Sequence, residues 1–101
     1  MNKNKKFKKV ADFQDYLDKQ LRNPRIRKHY NEYGKQLEIA YQILQLRKQR
    51  KISQAELARK IGTKQSNVAR METGQQNFST NTLQKIAKVF DRELRIDFAK
   101  R

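Results

Sequence analysis

Apolar residues recur along this chain at intervals of three and four, and that spacing limits its fold more than any other feature. Phe13, Tyr16, Leu17 and Leu21 form one series, and Leu37, Ala40, Tyr41 and Leu44, widened by Ile43 and Leu46, form another. Leu57, Ala58 and Ile61 make a third, and Leu83, Ile86, Ala87, Val89 and Phe90 a fourth. Each series lines one face of a helix of 3.6 residues per turn. Only 36% of the residues are hydrophobic and 35% are charged, so no element is apolar all round. A chain of 101 residues suits one domain, whose small core arises where neighbouring helices share their stripes.

The breaks between these helices are also written locally. Asn23-Pro24 supplies an N-cap and a first helical residue, which predicts a second helix carrying Ile26, Tyr30 and Tyr33. Gly34 reads as the break that follows it, and a central third helix is expected from Lys35 to about Gln49. Ser53 with Glu56 three residues on matches a capping box, and Gly62 a left-handed C-cap. A further helix follows from about Lys64 to Thr73, with Val68 and Met71 inward and Gly74 closing it. After a loop over Gln75 to Phe78, a cap among Ser79 to Asn81 opens the last helix. Leu94, Ile96 and Phe98 then alternate with Glu93, Arg95 and Asp97, a period of two that predicts a short strand. A lone strand requires a partner, either a twin subunit or a second protein.

The 25 Lys and Arg against 10 Asp and Glu leave +15 at neutral pH, which favours a polyanionic partner. The absence of cysteine removes disulfides, thiolate nucleophiles and Cys-based zinc sites. No apolar run reaches the length of a membrane span or a secretory signal core, so a bacterial cytoplasmic, nucleoid-associated protein is expected. Catalysis is not: the lone His29 sits among Arg27, Lys28 and Tyr30 without a neighbouring carboxylate. His, Asp and Glu do not cluster at metal-ligand spacing, no glycine-rich phosphate loop occurs, and no metal or cofactor is expected. The aromatics fall on helical stripes rather than on a stacking platform for single-stranded RNA.

Two short helices joined at a glycine, with small Ala58 where they cross, describe a helix-turn-helix. Val68 locks the second helix from inside. Its outward positions, Lys64, Gln65, Ser66, Asn67 and Arg70, are then free to read base edges in a major groove of double-stranded DNA. Gln pairs in bidentate fashion with adenine and Arg with guanine, while Ser and Asn adapt to several bases.

Gln54-Ala55-Glu56-Leu57-Ala58, Gly62-Thr63, Gln65, Val68, Glu72 and Gly74 resemble the helix-turn-helix family of phage repressors and Cro proteins, and the likeness continues through Thr82 to Ala87. The resemblance implies that Gln54 bonds a phosphate and braces the recognition helix. It implies base-reading positions for Gln65, Ser66 and Arg70, a place by the backbone or an outer base pair for Lys64, and phosphate contacts for the loop bearing Gln75 and Asn77. Arg47 and Glu72 match a buried structural pair of that family. Lys51 stands where a glycine is common, Ala69 where serine is, and Phe78 where proline is. The turn at Lys51 is thus expected to be strained by about 1–2 kcal/mol or to take another shape.

The stretch Phe13 to Tyr41, placed directly before this motif, is similar to HigA-like antitoxins, the XRE-like DNA-binding partners of RelE/HigB-like ribonuclease toxins. That similarity implies toxin contacts through Phe13, Tyr16, Leu17, Leu21 and Tyr30, with repression of the shared operon. The alternatives are packing of the same stripe against the third helix, and a stand-alone repressor without a toxin. The expected architecture is all-α, about six helices around a lambda-repressor-like core plus the C-terminal strand. It divides into a basic flexible arm (1–9) that either touches DNA or is simply solvated, a helical extension (10–34), the helix-turn-helix domain (35–92), and the strand and tail (93–101). A homodimer would face a palindromic operator with half-sites one turn, about 34 Å, apart.

Overall fold

The computed structural model describes the backbone of residues 3–100 and the side chains of residues 12–100. Among the described residues six helices follow one another: α1 (Lys3–Gln20), α2 (Pro24–Lys28), α3 (Tyr30–Arg50), α4 (Gln54–Ile61), α5 (Gln65–Glu72) and α6 (Thr80–Val89). The architecture is all-helical, as the apolar spacing predicts. Met1 and Asn2 of the expected arm lie outside the described residues. From Lys3 the backbone is already helical, in keeping with the good helix propensity of lysine.

The caps do what their side-chain chemistry allows. Asn23 Oδ1 accepts from the Arg25 amide at 2.9 Å, Ser53 Oγ from Glu56 at 3.0 Å and Ser79 Oγ from Thr82 at 3.1 Å. Four helices end in one motif, in which a left-handed residue lets two successive amides fold back on the last turn. Gly62 (φ 77°) and Gly74 (φ 71°) serve α4 and α5, and Lys51 (φ 56°) and Asp91 (φ 54°) serve α3 and α6. Their successors bond Ala58, Arg70, Arg47 and Ala87 carbonyls. Lys51 therefore keeps the shape that glycine would take, with the strain that a side chain brings there.

Two of the expected breaks are corrected. Gly34 does not end a helix; α3 runs through it, and the break falls at His29, whose amide bonds the Ile26 carbonyl. Lys35 accordingly does not begin a helix. A single glycine costs a helix only about 1 kcal/mol, and Leu37 and Ala40, both fully buried, hold this one together. The C-terminal strand is not formed either: residues 93–100 have no regular structure, and no strand occurs among the described residues. One strand within one chain has no ladder to complete, so its amides stay with solvent.

At 21 residues α3 is the spine of the molecule. Its second half joins α4, α5 and α6 around Ile43, Leu57, Ala58, Ile61, Val68, Met71, Ile86 and Phe90. Its first half joins α1 and α2 around Tyr16, Leu17, Ile26, Leu37 and Ala40. Phe78, in the loop before α6, packs against both cores.

Candidate nucleic-acid interface

The geometry of α5 follows from what it buries. Val68, Met71 and Glu72 face inward, and at 100° per residue Ser66 and Arg70 lie opposite them, with Gln65 and Asn67 on the flanks. Lys64, Gln65, Ser66 and Arg70 are exposed, and Asn67 is half-buried. Lys64 caps the helix without a side-chain bond, so the first-turn amides meet no side-chain acceptor. Such an end attracts anions through its exposed N–H groups and the helix dipole.

Asn67 ties this surface together. Its Nδ2 donates to Thr63 Oγ1 at 2.7 Å, and its Oδ1 accepts from Arg70 Nη2. The guanidinium is thereby held over the outer face instead of sweeping solvent, which lowers the ordering cost of a bidentate contact. The i+4 and i+3 spacings of Thr63, Asn67 and Arg70 are visible in the sequence, but spacing alone does not say that the three side chains bond one another.

Behind α5 lies a charged anchor. Glu72 is 4% exposed, and among the described residues it is the one buried charged or polar side chain. Arg47 Nε donates to its Oε2 at 2.6 Å and Arg47 Nη2 to its Oε1 at 3.0 Å, a two-pronged pair in a poorly solvated setting. Arg47 Nη1 also donates to the Ile52 carbonyl at 2.9 Å, tying α3 to the turn before α4. Gln54 Nε2 completes the group at 3.0 Å from Glu72 Oε1. Gln54 thus braces α5 directly, from the first residue of α4.

A further brace has no sequence signal at all. Tyr16 of α1 donates its hydroxyl to the Glu72 carbonyl at 3.0 Å, across 56 residues of chain. Burial, with the Glu72 carboxylate close by, pushes that phenol well above its ordinary pKa of 10.0. Beyond α5, Gln75 and Asn77 are exposed on the loop, and Gln36 of α3 donates to Asn77 Oδ1. The five residues expected to contact a toxin divide: Tyr16 and Leu17 of α1 are buried, Phe13 and Leu21 pack against them, and Tyr30, at the start of α3, stays 39% exposed.

A helix-turn-helix family model matches residues 43–96, more than half of the chain. The protein belongs to the helix-turn-helix family. No curated protein and no solved structure matches the chain. The matched span holds α4, the Gly62 turn and α5, together with Arg47, Glu72 and Gln54, and stops before Phe98. This membership makes the protein a DNA-binding transcription regulator. The helices α1 and α2 lie outside the match, and no helix among the described residues is long and apolar enough to cross a membrane.

Proposed function

We propose that this helix-turn-helix protein is a sequence-specific repressor of the bacterial cytoplasm, acting as a homodimer on a palindromic operator. The observation that carries the reading is the outer face of α5, where Asn67 pre-positions Arg70 beside the exposed Gln65 and Ser66. Gln65, Ser66 and Arg70 read bases. Lys64, the amides at the start of α5, and the loop bearing Gln75 and Asn77 hold phosphates, and Gln54 adds a phosphate contact to its brace. A charge of +15 supplies the non-specific, salt-dependent part of the affinity.

Selection of a binding site from random duplexes, followed by titration of variants, tests this. Arg70→Ala should cost about 1–3 kcal/mol and relax preference at one base pair, whereas Lys64→Ala should weaken all duplexes alike and lower the salt slope by about 1. Equal losses for Arg70→Ala on every duplex would reduce that side chain to a phosphate contact. Failure to enrich any sequence would end the reading.

The finer reading makes the repressor an antitoxin that neutralises a RelE/HigB-like ribonuclease encoded beside it. Its support is the likeness of Phe13 to Tyr41 to such antitoxins and the exposed Asp15 and Asp18 of α1, which suit a basic partner. With Tyr16 and Leu17 turned inward, that partner would meet Tyr30 and the acidic face of α1 rather than the apolar stripe. Inhibition of the purified ribonuclease by the full chain, weakened by Asp15→Lys with Asp18→Lys, is the expected result. Full ribonuclease activity in the presence of the chain would leave a stand-alone repressor.

A further inference from the structure

Among the described residues, the segment after α6 carries the two most exposed large apolar side chains. It leaves the core in a fixed direction: Arg50 Nη2 bonds the Phe90 carbonyl at 2.9 Å, Asp91 turns left-handed, and the Arg92 amide bonds Ala87 at 2.8 Å. Beyond that anchor Ile96 is 59% exposed and Phe98 fully so, although both are large and apolar. Leu94 and Ile96 border an open groove of about 520 Å³ with Ile39 and Leu46 of α3 and Leu83 of α6. Leu94, Ile96 and Phe98 alternate with Glu93, Arg95 and Asp97, so an extended backbone puts all three apolar side chains on one face.

These six residues match themselves best in one register. In an antiparallel pair, residues directly opposite share a face, so a two-fold axis must fall on a residue if apolar is to meet apolar. Placed on Arg95, the axis sets Arg against Arg and Glu93 against Asp97. Placed on Asp97, it sets Asp against Asp and Leu94 against Lys100. Placed on Leu94, it sets Glu93 against Arg95 but also Asp91 against Asp97 and Arg92 against Ile96, and it sets Phe98 against Phe90, which is buried in the core. Placed on Ile96, it sets Ile96 against Ile96, Leu94 against Phe98 twice, Arg95 against Asp97 twice and Glu93 against Ala99 twice, and the like charges Arg92 and Lys100 meet only at the two ends. A parallel pair would instead set every charge against its like.

From this we infer that the occupant of the C-terminal segment is a second copy of the same segment, joined as a two-stranded antiparallel ribbon with Ile96 on the dyad. The ribbon gives each strand a ladder along its inner edge, sets Ile96 and Phe98 against apolar partners, and fixes which surface makes the homodimer. The inference rests on the dimeric operator reading above and names its interface.

The chain has no cysteine, so Ile96→Cys introduces a single thiol. Mild oxidation of that full-length variant should give a disulfide-linked dimer in high yield, while Glu93→Cys should give little. Arg95→Asp should weaken the dimer at least about tenfold in light scattering against concentration, since two cross-strand pairs become repulsive. The double variant Arg95→Asp with Asp97→Arg should restore it, because the exchange keeps opposite charges facing only in this register. These side chains are exposed, and an unchanged melting curve of the dilute monomer confirms that folding is intact. A dimer unaffected by Arg95→Asp and by Ile96→Asp would overturn the ribbon and leave the dimeric repressor standing. A wild-type chain that is monomeric at all concentrations, on and off a palindromic duplex, would overturn both. A dimer lost in Arg95→Asp and not regained in the double variant would overturn the register.

Discussion

Around the second half of α3 the core is nearly all aliphatic, and α4 and α6 each open on a serine whose side chain caps the helix. Around the first half aliphatic Leu17, Ile26, Leu37 and Ala40 share the core with a cluster of aromatic rings. Phe13 meets Tyr41 edge-on at 5.2 Å between centroids, Tyr16 meets Tyr41 at 5.3 Å, and Tyr33 packs alongside. The two cores also differ in what closes them. The helix-turn-helix core is closed by its own members. The N-terminal core borrows its far wall from the other half, through Tyr16 on the Glu72 carbonyl, Leu37 beneath Gly74, and Gln36 on Asn77. Those three contacts all land on the stretch that ends α5 and begins the following loop. Of these, Tyr16 is the contact through which α1 itself supports the end of the recognition helix.

That comparison is open to attack, most forcefully at the ion pair. Arg47→Met strands the Glu72 carboxylate in a buried site and should remove about 3–5 kcal/mol of unfolding free energy in urea. Because Glu72 belongs to both halves, aromatic and helical signals should lose stability together. Separate transitions would show that the two cores are independent.

Gly74→Ala comes next. The position has φ 71°, and a Cβ there would stand 2.5 Å from Leu37 Cδ2. The left-handed backbone alone costs about 1–2 kcal/mol, and the overlap adds about 1–3 kcal/mol. Pairing it with Leu37→Ala should recover the steric part and not the backbone part, as a double-mutant cycle would read.

Tyr16→Phe removes the hydroxyl bond to the Glu72 carbonyl and should cost about 0.5–1.5 kcal/mol. Its pH dependence is more telling. The folded-state phenol titrates above the unfolded value, so its contribution is complete below pH 10 and declines as the pH rises above it. Wild-type stability should thus fall more steeply than that of Tyr16→Phe above pH 10. Parallel profiles would mean that the hydroxyl is not held as described. The smallest effect is expected at Gly34, inside α3, where a Cβ meets nothing within 4 Å. Gly34→Ala should stabilise the fold by about 0.5–1 kcal/mol in thermal or urea unfolding.

The elements legible in the sequence are those whose ends are signalled by neighbouring residues. Ser53, Gly62, Gly74 and Ser79 frame α4, α5 and the start of α6 within a residue or two of expectation, because a cap acts over three or four positions. Lys51 and Asp91 adopt the same left-handed turn without a glycine to announce it. Gly34 announced a break that does not occur, since Leu37 and Ala40 hold the helix straight through it. The outer face of α5 was readable from helical spacing, and the family match over residues 43–96 covers that same stretch.

What the sequence determined by itself, then, is the set of helices in the second half, the face that α5 turns outward and the charge that draws it to a polyanion. These depend on period, capping and net charge, all of which act locally or by simple sum. The family resemblance already implied the buried Arg47–Glu72 pair and a bracing role for Gln54; only the tertiary structure decided that Gln54 bonds Glu72 itself, that Tyr16 reaches the end of α5 and that the stripe of α1 is turned inward. Each of those depends on two segments far apart in the chain meeting at hydrogen-bond distance. A local pattern cannot encode such a meeting, because the packing of α3 between the two cores is what brings the partners together.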